Sequence, residues 1–149
     1  MDDFSSKPGT ANAFGLLGGA ANSIAPFKRP LSSMTPTIIL KDGKAHIVTG
    51  SPGGSRIITT TLQVIMNVLD HEMNIAEASA MPRFHHQWWP DEIRAEKGFS
   101  KDTLELLRAK GHNVKVKSSM GSTQTIMPTD NGVFGASDPR RPAALSKGY

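Results

Sequence analysis

Residues 50–56 read Gly-Ser-Pro-Gly-Gly-Ser-Arg and stand between a β-branched run and a long apolar stretch. Gly53 and Gly54 have no side chains to screen their backbone N–H groups. At the start of a helix such groups form a nest of donors, reinforced by the positive end of the helix dipole. Two anions suit that arrangement: a phosphate, or the oxyanion of an acyl-transfer intermediate. A phosphate loop carries a Lys-Ser/Thr pair after its last glycine, whereas Ser55 and Arg56 stand here. The plain alternative is a tight turn that lets helix and strand pack closely.

Ser32 and Ser33 lie between Pro30 and Pro36. Prolines restrict the backbone, so the two hydroxyls are held at little entropic cost and could donate to a carboxylate, or they simply form a turn. Asp2 and Asp3 are adjacent acids that could pair with an ammonium, although such pairs are usually just solvated. The run His-His-Gln-Trp-Trp at 85–89 invites a metal reading. Neighbours on a strand point to opposite faces, however, and no third ligand stands at a zinc-like spacing. Packing in a core or interface is the expectation for His85 and His86. Thr59, Thr60 and Thr61 have no evident base beside them and read as helix-surface threonines.

The elements that must position these groups follow from pattern. Two β-rich runs, at 37–40 and 45–49, flank Asp42 and Gly43 and predict a hairpin. Ile58, Leu62, Ile65, Met66 and Leu69 recur at spacings of three and four, which predicts an amphipathic or largely buried helix over 57–73. Asn74 is a candidate cap for a short second helix stopped by Pro82. One or two strands are expected over 83–97. Ser100 caps a helix over 101–110, and Gly111 follows it. Val114 and Val116 mark a strand, and 123–127 with 133–136 form a second hairpin around Asp130, Asn131 and Gly132. Residues 1–30 show no period and read as exposed loop of the kind that is functional or lies against another chain. The tail at 138–142 reads as loop.

With 149 residues the chain is one ordinary domain or a large piece of a bigger one. It has no cysteine, which excludes disulfides, thiolate catalysis and zinc–sulfur sites. The net charge of +4 comes from scattered basic residues, not interleaved with aromatics, which argues against a nucleic-acid partner. No apolar run approaches the ~20 residues of a membrane span. The first residues lack the basic segment and apolar core of a signal peptide.

Five stretches, taken in order, resemble the γ-glutamyltranspeptidase family: Met-Asp-Asp-Phe at 1–4, Lys-Arg-Pro-Leu-Ser-Ser-Met-Thr-Pro-Thr at 28–37, Gly-Ser-Pro-Gly-Gly-Ser-Arg-Ile at 50–57, Pro-Arg-Phe-His-His-Gln at 82–87 and Gly-Ala-Ser-Asp-Pro-Arg at 135–140. The His-His-Gln-Trp version is most like bacterial members. The resemblance implies an α+β fold that is part of the four-layer αββα sandwich of N-terminal-nucleophile hydrolases. It implies that residues 1–149 are the C-terminal portion of the small subunit of a self-cleaving precursor. It implies γ-glutamyl transfer or hydrolysis, acting on glutathione and other γ-glutamyl compounds, with amino acids, peptides or water as acceptors and no cofactor or metal.

By the same resemblance Asp3 would bind the α-ammonium of the γ-glutamyl group. Ser32 and Ser33 would bind its α-carboxylate, and the N–H groups of Gly53 and Gly54 would form the oxyanion hole. The nucleophilic Thr would lie in a segment before Met1, and the large subunit would be a partner. This chain by itself is then expected to be inactive, with Ile38, Ile47, Leu62 and Ile65 facing the rest of the parent. A periplasmic or secreted location is implied, its signal peptide lying upstream. The alternative is a non-catalytic remnant that binds γ-glutamyl compounds or amino acids.

Overall fold

The computed structural model describes residues 3–148, so Asp2 lies outside the described residues. In chain order the elements are β1 (Thr37–Lys41), β2 (Lys44–Gly50), α1 (Arg56–Leu69), α2 (Ile75–Ala80), β3 (Phe84–His85), β4 (Ile93–Ala95), α3 (Lys101–Ala109), β5 (Val114–Val116), β6 (Gln124–Thr129) and β7 (Gly132–Ser137). Mixed helix and antiparallel sheet make this an α+β fold.

The predicted hairpin forms as β1 and β2. Asp42 and Gly43 take φ of 51° and 76°, the left-handed pair a two-residue hairpin turn demands. The second hairpin, β6 and β7, pairs with β2 to give a four-stranded antiparallel sheet in the order β1-β2-β6-β7. Its register sets Thr49, Thr125 and Ala136 in one row. These residues are buried, and the Thr49 and Thr125 hydroxyls meet at 2.9 Å. Val64 and Val68 of α1 and Ile75 and Ala78 of α2 close the core over Ile47 and Ala136. Ile47 is therefore fully buried within this chain and is not available to the rest of a parent.

The expected helix forms as α1 but is shorter, and its buried side is not the one marked by Ile58 and Leu62. The helix ends at Leu69 rather than 73, and Ile57, Thr60, Thr61, Val64 and Val68 face inward. Ile58, Leu62, Met66 and Leu69 are 41–51% exposed. Helix α1 is apolar on two sides, and the side with short β-branched residues lies against the sheet while the bulkier stripe faces away. Thr60 and Thr61 are accordingly core residues, not surface ones. The far face of the sheet is also apolar. Ile38, Val48, Ile126 and Gly135 form one row across it, with Ile38 and Ile126 exposed. Of the four expected layers, the described residues thus contain one helical layer on one sheet.

A smaller sheet, β3-β4-β5, joins β3 and β4 antiparallel and β4 and β5 parallel. Helix α3 makes the crossover, with the Ser100 hydroxyl accepting from the Thr103 N–H at 3.2 Å. The tail at 138–142 is not a free loop. Asp138 is almost fully buried against Arg83, and Arg140 pairs with both Asp138 and Glu96.

The N-terminal 3–30 segment is likewise ordered rather than merely exposed. Ser5 N–H donates to Asn22 O at 3.1 Å, Ile24 N–H to Ser5 O at 3.0 Å, and Gly9 N–H to Gly18 O at 2.8 Å. These are isolated bridges between distant residues, so they leave no period in the sequence.

Candidate functional site

The β2 strand delivers the chain into the glycine loop, and α1 carries it away. Gly53 and Gly54 take φ of 144° and 59°, which side chains resist. Their carbonyls accept from the N–H groups of Arg56 and Ile57 at 3.3 and 3.1 Å. Their own N–H groups have no acceptor among the described residues. A Cβ on Gly54 would lie 2.3 Å from the Phe14 ring, so this position needs glycine for space as well as for backbone. From behind, Gly121 abuts the loop, where a Cβ would lie 2.7 Å from Ser51 Oγ. Ser51 Oγ also accepts from the Ser122 N–H at 2.9 Å. Arg83 in turn donates to Met120 O at 3.0 Å, so the buried ion cluster holds the segment that braces the loop.

A second brace runs from the start of α1 to β3. Ser55 Oγ donates to Gln87 Oε1 at 2.7 Å, and His85 Nε2 donates to the same oxygen at 2.9 Å. Since an amide oxygen only accepts, the His85 proton sits on Nε2, and Nδ1 accepts from Thr59 Oγ1 at 2.8 Å. Thr59 therefore does have an imidazole beside it, contrary to the sequence expectation. Burial pushes His85 below its ordinary pKa against the pull of the Gln87 bond, with the positive charges of Arg56 and Arg94 adding to the depression. The group behind His85 is the neutral Gln87 amide, so the chain Thr59–His85–Gln87 carries no negative charge. It fastens α1 to β3. Gln87 Nε2 also donates to Phe14 O at 3.2 Å, which holds the aromatic ring over Gly54. His86 points the other way, exposed and 3.1 Å from Asp91.

Hairpin pairing brings the two-serine turn to the same end of the sheet as the glycine loop. Thr37 faces Thr49, and Pro36 Cα lies 3.8 Å from where a Cβ on Gly50 would be. Ser32 is exposed and its Oγ accepts from the Met34 N–H at 3.2 Å. Ser33 is half-buried, and its carbonyl accepts from Thr35 Oγ1 at 3.1 Å.

Asp3 is fixed through its backbone. Its carbonyl accepts from Asn12 Nδ2 at 3.1 Å and from Asn22 Nδ2 at 2.6 Å, while its carboxylate forms no ion pair among the described residues. Asn22 Oδ1 accepts from the Leu31 N–H at 2.9 Å, the residue before Ser32. Sequence reasoning missed Asn12, Asn22, Phe14 and Gln87 as parts of this site. Only Asn12 left a local signal: its Oδ1 accepts from the Phe14 N–H at 3.0 Å, an Asx turn before a glycine.

Comparison with known proteins identifies the family. The family model described as Gamma-glutamyltranspeptidase matches residues 1–148. The chain is 63% identical over 150 residues to the glutathione hydrolase proenzyme of Escherichia coli (strain K12), covering all of this chain and 26% of that protein. It is 44% identical over 160 residues to the one from Pseudomonas sp. (strain A14), covering all of this chain and 28% of that protein. It spans about a quarter of the length of these curated relatives. Among solved structures, a Helicobacter pylori gamma-glutamyltranspeptidase mutant superposes with a TM-score of 0.89 at 54% identity, over 95% of this chain and 78% of that one. The Pseudomonas nitroreducens gamma-glutamyltranspeptidase complexed with L-DON gives 0.91 at 41% identity, over 99% and 79%. With a family match over nearly its whole length and a fold shared with solved members, the chain belongs to the gamma-glutamyltranspeptidase family.

Proposed function

We propose that this chain supplies the head-group pocket and oxyanion hole of a γ-glutamyl acyl-transfer site that acts on glutathione and other γ-glutamyl compounds. The nucleophile is a threonine outside residues 1–149, with its own α-amino group as base. Its oxygen attacks the γ-glutamyl amide carbonyl, and the charge that develops on the carbonyl oxygen is taken by the N–H groups of Gly53 and Gly54. The C–N bond breaks, the proton passes to the departing amine, and an acyl-enzyme ester is left. Water or the amine of an amino acid or peptide then attacks that ester and restores the threonine.

One observation carries the reading: among the described residues, the N–H groups of Gly53 and Gly54 at the N-terminus of α1 have no acceptor. A donor pair in such a place is worth about 100- to 1,000-fold in kcat per donor. The head group explains the rest. Asp3 meets the α-ammonium, and Ser32 and Ser33 meet the α-carboxylate, as a zwitterion on one carbon requires. The uncovered stripe of α1 and the outer row of the sheet receive the remainder of the parent, including its large subunit.

The experiment is release of p-nitroaniline from γ-glutamyl-p-nitroanilide. Residues 1–149 alone should release none, and the full-length processed protein should turn over. In that protein Asp3→Ala should raise KM about 10- to 150-fold through a lost charge-assisted contact. Turnover by residues 1–149 alone, or an Asp3→Ala enzyme with unchanged KM, would sink the reading.

A further inference from the structure

Asn22 links the segment that carries Asp3 to the segment that carries Ser32. Its Nδ2 donates to Asp3 O at 2.6 Å and its Oδ1 accepts from the Leu31 N–H at 2.9 Å. One planar amide thus joins the backbone of the acid to the backbone just before Ser32. The backbone of Asn22 is itself committed, its N–H to Gly19 O and its carbonyl to the Ser5 N–H, both at 3.1 Å. Asp3 and Ser32 both lie outside helices and strands, so no regular hydrogen-bond ladder sets their spacing. Asn12 reaches the same Asp3 carbonyl at 3.1 Å, and its Oδ1 takes the N–H groups of Phe14 and Leu16 at 3.0 Å each. Side-chain amides, together with the backbone bridges from Ser5 to Asn22 and Ile24, therefore hold Asp3 relative to Leu31 and Ser32.

We propose that Asn22 is a positioning residue that fixes the separation between the Asp3 carboxylate and the Ser32 and Ser33 hydroxyls, and so selects ligands with an ammonium and a carboxylate on one carbon. The inference rests on the roles given above to Asp3, Ser32 and Ser33. An α-amino acid presents its two charges at a fixed distance. Two binding loops that drift independently meet one charge well at the expense of the other. Asn22 has only two side-chain torsions between them, so it makes the loops move together. Its contribution falls on ligands that engage both loops and is small on ligands that engage one.

The test uses the full-length processed enzyme and three competitive ligands: L-glutamate, glutarate, which lacks the ammonium, and 4-aminobutanoate, which lacks the α-carboxylate. Asn22→Ala should weaken glutamate binding and raise KM for the γ-glutamyl donor by about 3- to 10-fold, the worth of a net hydrogen bond or two. The inhibition constants of glutarate and 4-aminobutanoate should move less than twofold, and kcat should stay within about twofold. Asn22→Asp keeps an acceptor for Leu31 but turns an acceptor toward the Asp3 carbonyl, so it should do at least as much damage.

Equal weakening of all three ligands, a matching fall in kcat, or failure of both variants to accumulate as processed protein would overturn the inference. If Asp3→Ala raises KM while Asn22→Ala does not, the positioning role alone falls. If neither raises it, the head-group assignment falls with it.

Discussion

The guanidinium of Arg83 approaches the carboxylate of Asp138 to 2.6 Å, and both side chains are shut off from solvent. The pair joins the turn after α2 to the tail after β7. Arg83 also donates to Ser79 O at 2.7 Å, and Asp138 accepts from the Thr123 N–H at 2.8 Å. Arg140 and Glu96 complete a group of two cations and two anions, so the buried charge is balanced.

Arg83→Met should therefore cost about 3–5 kcal/mol of stability, because it strands the Asp138 carboxylate in the interior. Chemical denaturation of the full-length enzyme measures this. Arg83→Met combined with Asp138→Leu should recover part of the loss. A double variant as unstable as the sum of the singles would show that packing, and not the uncompensated charge, sets the cost.

Gly54→Ala should abolish most turnover. The left-handed backbone costs about 1–2 kcal/mol with a Cβ, and that Cβ collides with Phe14. The expected fall in kcat is about 100-fold or more, as for loss of one oxyanion donor. Adding Phe14→Ala removes the collision but not the backbone strain, so the double variant should regain part of the rate. No regain would mean that Phe14 does not press on the loop.

Gly121→Ala tests the loop from behind. Its φ of 68° and a Cβ 2.8 Å from Thr60 Cγ2 force the 119–122 segment away from the glycine loop. We expect a lower kcat with little change in KM, because this segment supports the glycine loop and touches neither Asp3 nor the turn of Ser32 and Ser33. A purely KM-driven loss would contradict this.

Acid should destabilise the fold in two stages. The folded state holds His85 below its ordinary pKa through burial, so unfolded chains bind the extra proton and stability is lost as pH falls below about 6.5. For Asp138, burial alone raises the pKa. Bonds from the Arg140 and Thr123 N–H groups and from Arg83 outweigh it and bring the net value down. The Asp138 contribution is therefore present above about pH 3.9 and lost only below it. Denaturation midpoints against pH should show both stages, and His85→Asn should erase the first alone.

Residues 1–149 expressed alone should be poorly soluble. Ile38 and Ile126 line the outer sheet face, and Ile58, Leu62, Met66 and Leu69 line the outer side of α1. Burial of a few hundred Å² at about 25 cal/mol per Å² is worth several kcal/mol, comparable with the stability of a whole domain. Ile38→Lys with Ile126→Lys should improve solubility of the short chain and weaken its association with the rest of the parent, measured by gel filtration. An isolated chain that is monomeric and melts sharply would refute this expectation.

Several elements of the fold, the glycine loop of the candidate site among them, were written locally. The Asp42–Gly43 turn, the Ser100 cap and the glycine loop between β2 and α1 all depend on neighbouring residues, so the sequence by itself determined them. The ordered motifs at 1–4, 28–37, 50–57, 82–87 and 135–140 likewise determined the family. Tertiary structure alone decided which side of α1 is buried, because periodicity finds an apolar stripe but not its partner. The Ile58 stripe and the Ile57 stripe both satisfy a helical period, and only the sheet beneath chose the one with Thr60 and Val64. It alone decided that Asn22 reaches both Asp3 and Leu31, that His85 meets Thr59, and that Arg83 finds Asp138. Each of these contacts joins residues that chain order keeps apart, and their energy exists only once the backbone has brought them within hydrogen-bond distance.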